Sequence, residues 1–183
     1  MRQALTIHPG SLCTSVSSIA VDAARPSPGV LELSFGVIGA VNDLYLPPTT
    51  TPARTEELWR RTCFEAFVRA AKGDAYIEIN LSPSGEWAAY RFSGHRAGMR
   101  VASEVAAPRF AVRQTDDCLK LRASVDLGTL SESPSNAVWH LALSAVIEEA
   151  GGRKSYWALA HPPGRPDFHA EAGFVYELAP PEA

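Results

Sequence analysis

TCFEAFVRAAKGDAYIEINLSPSGEWAAYRF, residues 62–92, decides the fold. It reads as three consecutive strands separated by two turns. In the middle strand Tyr76, Glu78, Asn80 and Ser82 share one face, and Ile77, Ile79 and Leu81 share the other. Strand side chains alternate from face to face, so this pattern makes one polar, aromatic-edged surface and one apolar surface for the core. Glu and Asn are poor strand formers. Two of them on one face of an otherwise buried strand call for a reason, and a bound ligand is one.

The first strand of the stretch, 62–69, sets Phe64, Ala66 and Val68 against Cys63, Glu65 and Phe67. A carboxylate between Cys and Phe is poorly placed for free hydration. Glu65 therefore accepts hydrogen bonds from a polar ligand, or it is held by an ion pair, with Arg60, Arg91 and Arg122 as candidate partners. If the strands pair as a meander, Glu65, Glu78 and Asn80 meet on one sheet face.

Outside this stretch the same period of two recurs. Leu31, Leu33, Phe35 and Val37 alternate with Glu32, Ser34 and Gly36. Leu119, Leu121, Ala123 and Val125 alternate with Lys120, Arg122 and Ser124. Trp139, Leu141, Leu143, Ala145 and Ile147 alternate with His140, Ala142, Ser144, Val146 and Glu148. Gly and Pro clusters at 25–29, 47–52, 82–85 and 162–166 punctuate these runs. Residues 51–61 allow one helical turn, and 93–109 reads as an irregular loop. The expected fold is all-β: a two-sheet β-sandwich of immunoglobulin or jelly-roll type, with mostly antiparallel strands. With 183 residues the chain is expected to form a single domain over 1–183, with 179–183 a frayed tail.

Composition narrows the function. A net charge of −3 with scattered arginines gives no footprint for nucleic acid, and no apolar run is long enough to span a membrane. The N-terminus lacks the pattern of a secretory signal. Cys13, Cys63 and Cys118 are odd in number and widely spaced, with no CxxC pair, so neither a disulfide framework nor a zinc site is expected. A cytoplasmic location is the simplest expectation. Nothing in the pattern specifies an oligomer. No nucleophile elbow or phosphate-binding glycine loop is present.

Taken together, LWRRTCFEAF (58–67), YIEINLSPSGEWAAYRF (76–92) and SYWALAHPPGRPDFH (155–169) resemble the DOMON-like, type 9 carbohydrate-binding-module family of bacterial proteins. The resemblance spans about residues 31–174. It implies a non-catalytic domain that binds a saccharide or sugar derivative on a concave polar-aromatic face; no cofactor is expected, because the sequence holds no convincing axial pair for haem. Trp59 matches the Trp that precedes the Glu-bearing strand in that family. The candidate ligand-binding residues are Trp59, Arg60, Glu65, Glu78, Asn80, Trp87, Tyr90, Trp157 and His161. Aromatic rings suit the apolar C–H faces of sugars, and carboxylates and amides suit their hydroxyls. Trp139 belongs to the apolar alternation and reads as core. Part of the superfamily binds haem, and His161 or Met99 would then be the axial ligand. A third reading is an enzyme that uses Glu65 and Glu78 as acid and base, as glycoside hydrolases use paired carboxylates.

Overall fold

The structure is a computed structural model, which describes residues 2–70, 73–128, 130 and 136–181. Its strands are β1 (Gln3–Ile7), β2 (Val16–Ala24), β3 (Val30–Gly39), β4 (Cys63–Ala70), β5 (Tyr76–Leu81), β6 (Trp87–Phe92), β7 (Arg100–Val101), β8 (Arg109–Gln114), β9 (Cys118–Asp126), β10 (Trp139–Glu148), β11 (Lys154–Ala158) and β12 (Tyr176–Leu178). The helical content among the described residues is three single 3₁₀ turns, at Val41–Asp43, Leu58–Arg60 and Glu171–Gly173. The second lies in the segment where one helical turn was expected. Residues 93–109 hold the two-residue β7 and the first residue of β8 and are otherwise irregular. Of the tail expected at 179–183, residues 182 and 183 lie outside the described residues.

Every strand pair is antiparallel, as a period-two sequence with short turns dictates. The hydrogen-bonded order is β7-β6-β5-β4-β10-β11-β1-β2-β3-β9-β8, and β12 joins the edge of β10 that β11 does not reach. The strands thus form one continuous path, where two separate sheets were expected. β1 is the joint: it pairs with β11 through Thr6 and Ile7, and with β2 through Gln3, Ala4 and Leu5.

The path curls so that its two halves share one core. Val21, Leu33, Phe35, Val37, Leu121 and Val125 come from the β2-β3-β9 half. Phe64, Ile77, Ile79, Leu141 and Leu143 come from the β4-β5-β10 half. Phe35 and Phe64 meet across the fold with ring centroids 5.0 Å apart. Trp139 is fully buried in this core, under the Arg25 guanidinium 3.7 Å from its ring.

Alternation leaves β4, β5 and β6 with a second buried face. Cys63, Phe67, Tyr76, Ala88, Tyr90 and Phe92 form a smaller cluster there with Leu58, Ala142 and Phe174. A strand buried on both faces explains why TCFEAF and YIEINL carry so few exposed residues. Loops 93–99 and 159–170, together with the turn at Leu58–Arg60, cover this second face.

Candidate functional site

The register of four neighbouring strands brings the polar residues together. Ser144 of β10 lies opposite Glu65 of β4, which lies opposite Asn80 of β5. One row along, Ala142, Phe67, Glu78 and Tyr90 face each other across β10, β4, β5 and β6. Glu65 and Glu78 are therefore diagonal neighbours on one face. They are 3% and 5% exposed, so neither is a solvated surface carboxylate.

Above them lies a cavity of about 340 Å³, lined by Trp59, Glu65, Glu78, Phe92, Arg96, Met99, Val146, Tyr156, Pro166, Phe168 and His169. Carboxylates form part of its lining, and aromatic rings from two loops and two strands form much of the rest. Its volume falls within the range of small-ligand sites, roughly 300–1,000 Å³. A larger hollow of 560 Å³ lies on the outer face of β2, β3, β9 and β8. There Asp22, Glu32, Arg109 and Arg122 are ordinary exposed strand residues, with no buried polar group among them.

Few donors satisfy the two carboxylates. Asn80 Nδ2 donates to Glu78 Oε1 at 2.7 Å, and the Ser144 hydroxyl lies 3.4 Å from Glu65 Oε2. Among the described residues neither has an arginine or lysine at ion-pair distance. By contrast, Glu148 on the same face of β10 accepts from Arg61 Nη1 at 2.8 Å. None of the expected partners of Glu65 reaches it: Arg60 pairs with Glu57, and Arg91 with Glu104, while Arg122 lies on β9 in the other half of the sheet.

Burial therefore dominates their ionisation. It raises Glu78 to about 7, against the smaller pull of the Asn80 hydrogen bond and the Arg96 charge. Burial raises Glu65 well above the carboxylate range, and the neighbouring Glu78 charge adds to it. His169 Nε2 lies 3.8 Å from Glu78 Oε2, but burial and the nearby Arg96 charge lower that imidazole to about 4. At neutral pH it is uncharged, so this contact is not an ion pair.

Two loops are locked together at the rim. Arg96 Nε and Nη2 both donate to Asp167 Oδ1, at 3.0 and 2.8 Å, and His95 Nε2 lies 2.8 Å from Asp167 Oδ2. Burial works against ionised Asp167, but the His95 and Arg96 hydrogen bonds outweigh it and hold the carboxyl below its usual range. The Arg96 backbone N–H donates to the Tyr76 hydroxyl at 3.2 Å, and that hydroxyl lies 2.8 Å from His169 Nδ1. With its oxygen accepting from Arg96, Tyr76 is free to donate its proton to Nδ1, which leaves the His169 proton on Nε2, toward Glu78.

The candidate residues separate by position. Trp59, Glu65 and Glu78 line the cavity. Asn80 supports Glu78 from the same strand, and Tyr90 backs Trp59 edge-on at 5.9 Å. Trp87 and Trp157 lie on the opposite face, in the main core. Trp87 stacks under Arg54, and Trp157 Nε1 donates to Ser155. Arg60 is exposed and bonds Glu57. His161 hydrogen-bonds the Thr6 carbonyl and meets His8 edge-on, outside the cavity lining, whereas Met99 lines it. Tyr156, Phe168, His169, Arg96 and Phe92 also line it and were not among the candidate ligand-binding residues. The signal for Tyr156 was available: it precedes Trp157 on one strand, so the two must face opposite ways.

Among the described residues no group of His, Cys, Asp or Glu is placed to hold a metal ion. Cys63 is fully buried beside this site, and burial keeps it a protonated thiol.

No family model matches the chain, and no curated protein matches it by sequence. Solved structures do resemble it. A protein of Bacteroides uniformis put forward as carbohydrate-binding superposes with a TM-score of 0.70 at 13% identity, over 95% of this chain and 84% of that one. A family 9 carbohydrate-binding module of Caldicellulosiruptor kristjanssonii, solved with cellotriose, superposes with a TM-score of 0.56 at 11% identity, over 90% of this chain and 74% of the module. At such low identity the likeness is one of fold: this chain shares the curled antiparallel β architecture of those proteins.

Proposed function

We propose that this chain is a non-catalytic saccharide-binding module and that its ligand occupies the cavity above Glu65 and Glu78. One observation carries the reading: acceptor-rich carboxylates with few donors of their own lie among the rings of Trp59, Tyr156 and Phe168. Sugar hydroxyls supply the missing donors, and sugar C–H faces suit the rings. The fold shared with proteins described as carbohydrate-binding supports it. A soluble saccharide or sugar nucleotide fits the enclosed volume better than a polymer surface.

A panel of such compounds, screened by thermal shift and titrated by calorimetry, tests this. A true ligand at a hundredfold excess over its Kd stabilises the fold by about 2.7 kcal/mol. Trp59→Ala should weaken binding by about 1 kcal/mol through loss of ring contact. If no saccharide binds, or if Trp59→Ala leaves affinity untouched, the cavity is not a sugar site. A second reading is favoured by the carboxyl pair itself. A carboxyl group that stays protonated near neutral pH is what a general acid requires. Turnover of a panel compound in the same incubations would make the chain an enzyme.

A further inference from the structure

We propose that the cavity selects a ligand bearing a protonated amine and, within the saccharide reading on which this rests, a sugar with a free amino group. The Glu65–Glu78 pair has unfilled acceptors and, among the described residues, no counter-ion. Glu65 and Glu78 offer four carboxylate oxygens. Among the described residues these receive one short hydrogen bond, from Asn80, and one long one, from Ser144. Neutral hydroxyls would fill the acceptors but leave any charge on the buried pair without a counter-ion.

Among the described residues the other cationic side chains near the site are engaged elsewhere or neutral. Arg96 lines the cavity, yet its Nε and Nη2 are both held by Asp167. His95 contacts the same aspartate. His169 stays uncharged at neutral pH. The contrast with other buried carboxylates is local. Glu148 has Arg61, and Glu149 Oε1 accepts from the backbone N–H and hydroxyl groups of Thr14 and Ser15.

An ammonium group carries the positive charge and the three donors that this floor lacks. The rings of Trp59, Tyr156 and Phe168 line the same cavity, and an aromatic face attracts a cation. A metal ion fits less well, because calcium seeks six to eight oxygen ligands and the aromatic walls offer none.

The suppressed ionisation of the pair agrees with this geometry. Without a cation the site holds a proton. A bound ammonium takes that proton's place, so amine affinity rises with pH through about 7. The titratable and charged groups facing the pair are Cys63 on β4, Tyr76 on β5, Tyr90 on β6, His95 and Arg96 in the 93–99 loop, and Asp167 and His169 in the 159–170 loop. Of these, Asp167, held below its usual carboxylate range, and His169, lowered to about 4, both titrate below the window concerned.

The test is calorimetric titration at about pH 7 with glucosamine, glucose and N-acetylglucosamine, and with methylammonium chloride and calcium chloride as bare cations. Glucosamine should bind about tenfold or more tightly than glucose or its N-acetyl form, the gain of a charge-assisted contact over a neutral one. That ratio should shrink toward one at about pH 5.5 in the native protein, and toward one at pH 7 in Glu65→Gln. The native pH comparison stands even if the variant fails to fold. Equal affinity for glucose and glucosamine overturns the amine inference and leaves the saccharide reading intact. Methylammonium binding without any sugar binding keeps cation recognition and overturns the saccharide reading. Calcium binding with no preference among the sugars overturns the inference in favour of a metal, and silence from every probe overturns both.

Discussion

At the residue scale, Glu78 makes the sharpest claim. Its carboxyl is raised to about 7 in the fold against 4.5 in a free chain, so the native state holds a proton that the unfolded chain gives up. Its contribution to stability is complete below about pH 4.5 and is lost as pH rises through 7. His169 acts in the opposite sense. Its folded value of about 4 lies below the free 6.5, so its contribution is present above 6.5 and is lost as pH falls through 4. The two effects partly cancel between those limits, and a wild-type profile alone would hide both. Glu78→Gln isolates one. The variant should match wild type near pH 4 and exceed it above pH 7 by up to about 3 kcal/mol, the cost of keeping a buried charge. Denaturant melts at four or five pH values measure the difference. A variant that is less stable at every pH would mean that ionised Glu78 has a cation partner after all.

At the scale of elements, the site depends on two loops as much as on the strands. Arg96 sits at φ 53°, a left-handed conformation that a non-glycine residue adopts only when its surroundings hold it there. Asp167 supplies the hold, through Arg96 and His95. Asp167→Asn should free both loops. Since Arg96 is half exposed, the loss of stability should be modest, about 1 kcal/mol. Hydrogen exchange should quicken at 93–99 and 165–170 while β4 and β5 stay protected. Unchanged exchange in those loops would show that the strands alone carry the site. This division also marks what the sequence could reveal. β3, β4, β5, β6, β9 and β10 follow from strict alternation, and with them the meeting of Glu65, Glu78 and Asn80 on one face. β2 was not singled out, because its pairing shifts register between Val16 and Ser18 and breaks the period. β1, β7 and β12 are too short to show a period, and β8 is an edge strand whose outward residues are merely polar. Arg96, Phe168 and His169 come from loops, where spacing carries no information about direction. Trp87 and Trp157 were grouped with the site for their chemistry, but strand parity turns both into the core.

At the scale of the whole molecule, one continuous sheet curls until its halves share a core, which makes a claim about cooperativity. Phe35 on β3 and Phe64 on β4 are far apart along the hydrogen-bonded path, with β10, β11, β1 and β2 between their strands. Their rings nonetheless meet at 5.0 Å, with an interplanar angle of 36°. If the core is shared, the contact links the stability of one half to the other. Phe35→Leu and Phe64→Leu are mild enough to leave a folded protein, each costing about 1 kcal/mol. Together they should cost less than their sum, because the second change removes a ring contact already lost. The expected coupling is about 0.5–1.5 kcal/mol, the usual worth of a buried aromatic pair. Unfolding should remain a single transition in all four proteins of the cycle, followed by tryptophan emission and by far-ultraviolet circular dichroism. The tryptophans report mainly on the half that carries the cavity: Trp87 lies on β6, Trp139 on β10 and Trp157 on β11. Circular dichroism reports on every strand. Strict additivity, or tryptophan emission that changes before the circular dichroism, would mean that the halves fold as separate units. The cavity would then stand on a sheet that the β2-β3-β9 half does not brace.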